Sequence, residues 1–142
     1  MPDSTLDVAE AWGRAMDGLD EEALIALAHP EIEIVTQGGT RRGHDALREW
    51  LGKQTYGVAP RFERRRTFAR GATVAVDLRV EFRYLDGGGV AASEDVAAVI
   101  EVTDEFVRRI TLHTELASAL SAAGLNETDE APTEPPTEQT QP

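Results

Sequence analysis

The sequence predicts an α+β domain, with helices gathered on one face of an antiparallel sheet. Three observations carry this. Apolar residues recur at spacings of three and four as far as Leu51, after Pro60 the period changes to two, and the last 17 residues hold no large apolar side chain. At 142 residues, with 41% hydrophobic and 28% charged residues, the chain has room for one domain of ordinary size and a short extension.

The first helix starts at Ser4, a good N-cap, with Asp7 as an acid in its first turn. Val8, Trp12, Ala15, Met16 and Leu19 then share a face, and Asp17-Gly18 closes it. Asp20 caps a second, shorter helix with a stripe of Ala23, Leu24 and Leu27. His29-Pro30 ends it, because the residue before proline avoids helical angles. EIEIV over 31–35 alternates like a strand, QGGT turns, and GHDALREWL starts a third helix with Leu47, Trp50 and Leu51 on one side.

Four strands follow: RFERRRTFAR, ATVAVDLRVEFRYL, VAASEDVAAVIEV and EFVRRITLHTE. The second is the clearest. Val74, Val76, Leu78, Val80, Phe82 and Tyr84 point one way, and Thr73, Asp77, Arg79, Glu81 and Arg83 the other. Asp86 and Gly87 to Gly89 supply the hairpin turn. LASALSAAG is a last short helix ending at Gly124. The predicted domain therefore covers 1–125. Residues 126–142 contain four prolines and no large apolar residue, and are predicted to be a disordered acidic tail.

Charge excludes some functions. The net charge is −12, with 14 basic and 26 acidic residues. Five acids and no base lie in 126–142, which leaves −7 on residues 1–125. That sign disfavours nucleic acid and anionic membrane surfaces as partners. There is no cysteine, hence no disulfide, thiolate metal site or cysteine nucleophile. No apolar run reaches the ~18 residues of a membrane span, and MPDSTLDVAE does not read as a secretory signal. The expected compartment is the cytoplasm. The three histidines have no metal-ligand spacing, so no metal and no cofactor is expected.

Three blocks resemble a known superfamily. GLDEEALIALAHPEIEI resembles the segment from the second helix to the first strand of the nuclear-transport-factor-2-like superfamily. GTRRGHDALREWL resembles its third helix, and DEFVRRITLHTELASALSAAGL the closing segment of its SnoaL-like branch. The resemblance spans about residues 5–125. It implies a cone: a curved antiparallel sheet wrapped around three N-terminal helices, with a cavity inside, and a homodimer through the sheet. Ala91, Ala97 and Val99 would suit such an interface. Functions in the superfamily include polyketide cyclases, ketosteroid isomerases, epoxide hydrolases and dehydratases. Their catalytic residues do not transfer. The isomerase positions fall near Ala11 or Trp12, Val35, and Ala97 or Ala98, and the cyclase positions near Ile110 and Leu112.

The candidate chemistry must come from the residues themselves. His113 and Glu115 lie two apart on the last strand and would share a face, where a pocket histidine beside a carboxylate acts as a general base. The more apolar parity there is Phe106, Ile110 and Leu112, which would turn the pair outward. Glu94 is in phase with Val96, Ala98 and Ile100; turned inward, it is a carboxylate in an apolar hollow, with Asp95 as its rival. Arg64 and Arg66 are in phase with Phe62 and Phe68 and would hold a ligand's carboxylate or phosphate, unless a bulge or an edge strand turns them to solvent. Trp12, Met16, Trp50 and Phe62 are expected to line the cavity or fill the core.

The expected function is binding of a small, largely apolar molecule in the cone, with or without catalysis. One alternative is a cofactor-free isomerase, cyclase or hydratase that uses Glu94, His113 or Glu115 to move a proton. Another is a dimeric interaction module. The first two require a cavity that the helices leave unfilled.

Overall fold

The structure, a computed structural model, describes residues 5–18, 20–36, 38–53 and 58–131. It begins with helix α1 (Thr5–Asp17) and helix α2 (Glu21–Leu27), then strand β1 (Ala28–Thr36), strand β2 (Gly39–Arg42) and helix α3 (His44–Lys53). Four long strands follow, β3 (Val58–Arg70), β4 (Thr73–Tyr84), β5 (Val90–Thr103) and β6 (Phe106–His113), then helix α4 (Leu116–Ala123), a 3₁₀ turn at Glu127–Asp129 and strand β7 (Glu130–Ala131). Ser4, the expected cap of α1, and Leu19 lie outside the described residues.

The helices form where the apolar spacing put them. Val8, Ala9, Trp12, Ala15 and Met16 of α1 are buried as one stripe. Asp20 caps α2 by accepting the Ala23 amide at 3.2 Å. Gly124 ends α4 in the left-handed conformation, at φ 73°.

One seven-stranded sheet runs in the order β2-β1-β6-β5-β4-β3-β7. All neighbours are antiparallel except β1 and β6, which are parallel, so the sheet is mixed at that seam. Pro30 sits where the β1–β6 register is irregular, between Ala28 and Glu33, and costs the ladder no regular bond. The turn between β4 and β5 uses positive φ at Gly87 and Gly89.

The sheet has a core on each face. On the helix side, α1, α2 and α3 pack Trp12, Leu24 and Leu47 against Val74, Ile100 and Ile110. On the outer side, α4 packs Ala119 and Leu120 over Phe68, Ala75, Ala97 and Val99. Ala97 and Val99, expected at a dimer interface, thus lie beneath the chain's own α4.

Three expectations are corrected here. Gly39 and Thr40, expected in the QGGT turn, open a strand that runs to Arg42; its four residues are all exposed, so no apolar pattern marks it. Phe62 and Phe68 face opposite sides of the sheet, because Arg65 is an extra residue between Arg64, which pairs with Leu78, and Arg66, which pairs with Asp77. The predicted tail is folded over its first six residues: Asn126 caps the 3₁₀ turn, and Ala131 and Glu130 pair with Thr67 and Phe68 of β3. Residues 132–142 lie outside the described residues.

Candidate functional site

A cavity of about 360 Å³ lies between α1 and the inner face of the sheet. That is at the lower end of the roughly 300–1,000 Å³ typical of small-molecule sites. Its formation follows from the sequence. β4 sends Val74, Val76, Leu78, Val80 and Phe82 inward, and α1 contributes Trp12 and Met16 across the gap. Gly13, facing the same space, has no side chain to fill it. Trp50 of α3 and Phe62 of β3 complete the aromatic lining. The hollow the sequence analysis required is present.

Among the described residues, three ionisable side chains line the cavity: Glu10, Arg64 and Glu94. Arg64 and Glu94 are exposed and Glu10 half-buried, so the charges sit at the rim while the floor, around Val74, Ile100 and Ile110, is apolar. Glu94 has the inward phase expected of it, opposite Val80 of β4. Its depth is different. The first six residues of β5 are all exposed, so Glu94 is a solvated rim carboxylate and not one sealed among apolar groups. Asp95 faces outward and pairs with Arg65 at 3.2 Å.

The two candidate arginines part company at the bulge. Arg64 stays with Phe62 and reaches the rim, where its Nη1 lies 3.9 Å from the place a Gly13 β-carbon would take. One turn along α1, partial burial raises the Asp17 carboxyl above its ordinary range, opposed by the attraction of Arg64 and Arg61. Arg66 crosses to the outer face. It pairs with Glu127 at 2.6 Å and Glu130 at 2.9 Å and lies 4.9 Å above the Phe68 ring. It is a structural clamp on the chain end and does not line the cavity.

His113 and Glu115 are also corrected. Ile110 and Leu112 line the cavity, so the alternation of β6 turns His113 to the outer face, opposite Ala97. Its Nε2 is buried there without a hydrogen-bond partner. Glu115 is exposed at the N-cap of α4 and its side chain makes no capping bond. Neither reaches the space where Glu94 and Arg64 sit. Among the described residues, no three His, Asp or Glu side chains come together as a metal site would require.

Sequence reasoning missed Glu10 and Thr67. Glu10 had a signal: Leu6, Glu10 and Gly13 follow one another at spacings of four and three, a second stripe beside the core stripe of α1. Thr67 had none, since it faces inward only because of the bulge two residues before it.

The family model described as a SnoaL-like domain matches residues 9–113. The chain belongs to the SnoaL-like domain family. No curated protein matches it. Among solved structures, an epoxide hydrolase of the LEH-like type from M. tuberculosis is 19% identical, with a TM-score of 0.67 over 84% of this chain and 94% of that one. TerC, crystallised with polyporic acid, is 21% identical, with a TM-score of 0.67 over 82% and 95%. A Catenulispora acidiphila protein with a ketosteroid-isomerase-like fold, in complex with trimethylamine, is 17% identical, with a TM-score of 0.66 over 87% and 96%. At these identities the likeness is one of fold. The SnoaL-like match and the three structures agree with the helix-lined curved sheet described above. No helix among the described residues is long and apolar enough to cross a membrane.

Proposed function

We propose that this SnoaL-like protein binds a small, largely apolar molecule in the cavity between α1 and the sheet. The observation that carries the reading is the unfilled volume itself. Protein interiors pack tightly, and a void of about 360 Å³ walled by Trp12, Met16, Trp50 and Phe62 is a standing loss of contacts that a guest restores. Structures of the same fold that hold polyporic acid or trimethylamine support it. Native mass spectrometry of freshly purified protein, with displacement of the fluorescent probe N-phenyl-1-naphthylamine, tests it. A retained small molecule or saturable probe binding is expected. A chain that holds neither ends the reading.

The second reading is a cofactor-free enzyme of the isomerase, cyclase or hydratase type. It is favoured by the presence of Glu94 and Arg64 on one rim, a carboxylate to move a proton and a cation to hold an anionic group. The epoxide hydrolase of similar fold fits the same class of chemistry. His113 and Glu115 have no part in it. Turnover of a bound substrate that vanishes in Glu94→Gln, with binding retained, would establish it.

A homodimer through the sheet and a cytoplasmic location belong to the same proposal. The dimer would use the sheet surface that α4 leaves open, and light scattering giving a monomer at micromolar concentration would remove it.

A further inference from the structure

We infer that the cavity selects a guest whose polar end is cationic, an amine carried on an apolar body, over one that ends in a carboxylate. This rests on the cavity-binding reading and adds the charge of the ligand to it. The two carboxylates on the rim come from different elements, Glu10 from α1 and Glu94 from β5. Neither makes an ion pair or a side-chain hydrogen bond among the described residues, although eleven other carboxylates there make ion pairs, as Glu33 does with Arg42 and Arg109. Neither charge thus has a direct partner among the described residues.

Arg64, the cation on the same rim, is placed differently. Its guanidinium lies beside α1 at Gly13, and Asp17, one turn further on, feels its charge. Part of that charge is answered outside the cavity. Among the described residues, two unpaired acids against one partly answered base leave the rim negative. The wall beneath adds to this. Trp12, Trp50, Phe62 and Phe82 are all lining residues, and ring faces attract cations. At longer range the chain carries −12, which draws cations toward any opening and repels anions from it. A guest with an apolar body and an ammonium end satisfies floor, wall and rim together. A fatty or aromatic carboxylate satisfies the floor and meets Glu10 and Glu94 at the rim.

Three probes of one chain length separate charge from cavity: octylammonium, 1-octanol and octanoate, each displacing N-phenyl-1-naphthylamine at pH 7.5 and low salt. Octylammonium is expected to displace at a concentration about tenfold lower than octanoate. Glu10→Gln and Glu94→Gln should each narrow that gap by about threefold. Asp95→Asn, one residue from Glu94 on the outer face, should leave the gap as it is. Octanoate binding as well as octylammonium, or a gap that survives the double substitution of Glu10 and Glu94, overturns the inference and leaves the cavity reading standing. Failure of the neutral probe and of 1-octanol to bind overturns both.

Discussion

The Arg66 guanidinium donates from Nε and Nη2 to the two carboxylate oxygens of Glu130, at 3.0 and 2.9 Å. The same Nη2 reaches Glu127 at 2.6 Å, and Arg70 donates to the Gly124 carbonyl and pairs with Asp129 at 3.5 Å. Two arginines of β3 therefore strap the end of the described chain to the sheet edge. β7 covers part of an edge that would otherwise present bare amides and carbonyls. Removing residues from Asn126 onward should lower the melting temperature relative to a chain ending at Ala131. Arg66→Ala should lower it in the full chain and speed proteolysis near residue 125. An unchanged melting temperature in both would show that the strap contributes nothing.

Acid should release this strap and one other. The Glu130 carboxyl is held below the ordinary value of 4.5 by hydrogen bonds from Arg66. Glu33 is held below it by Arg42 at 2.6 Å and Arg109 at 2.9 Å. A carboxylate whose folded pKa is depressed stabilises the fold above its unfolded pKa and loses that contribution as pH falls through the folded value. Stability from these two groups is thus complete at neutral pH and declines on acidification from about 4.5 downward. In Glu33→Gln and Glu130→Gln together, the slope of melting temperature against pH between 5 and 3 should flatten on the order expected for two shifted carboxylates. An identical slope would assign acid lability elsewhere.

What the sequence made legible follows from how each signal arises. The alternation from Val74 to Phe82 reads directly as a cavity wall because β4 carries no extra residue between them; the bulges fall in its neighbours β3 and β5. The inward phase of Ile110 and Leu112 was visible in their apolarity, and it decides against His113. Arg66 was not legible. Phase counting from Phe62 assumes an unbroken ladder, and one extra residue at Arg65 inverts everything after it. β2 and β7 were not legible either, since the four residues of β2 are all exposed and β7 has only two residues, so no apolar alternation marks them. The phase of Glu94 could be counted along its strand; its depth could not, because depth depends on which stretch of β5 other elements cover, and residues 90–95 are exposed.

The split at Arg65 gives Phe62 and Phe68 different jobs. Phe68 is fully buried beneath α4, outside the cavity, whereas Phe62 is half-buried on the cavity wall. Phe68→Ala should cost about 3–5 kcal/mol, the usual range for emptying a packed aromatic site. Phe68→Leu should cost less and leave probe binding in the folded protein intact. Phe62→Ala should do the reverse: a smaller loss in denaturant melts, since part of the ring is already solvated, and a clear loss of N-phenyl-1-naphthylamine affinity. Equal effects of the two on probe binding would contradict the bulge.

Gly13 offers the sharpest test of the void. It lies inside α1 on the cavity side, with ordinary helical geometry, and an added β-carbon would meet only the Arg64 Nη1, at the ordinary contact distance of 3.9 Å. Glycine in a helix interior costs about 1 kcal/mol relative to alanine. Gly13→Ala should therefore stabilise the protein by roughly 0.5–1 kcal/mol, because it trades backbone entropy for a contact that fits. Gly13→Leu adds three more carbons, directed at the hollow between Trp12 and Met16. In a tightly packed core such a substitution costs roughly 1–3 kcal/mol. Over an empty volume it should cost little or nothing and expel the probe, because side chain and guest compete for the same space. A Gly13→Leu protein that is strongly destabilised, or one that binds the probe as before, would mean that the space facing α1 is not the guest's.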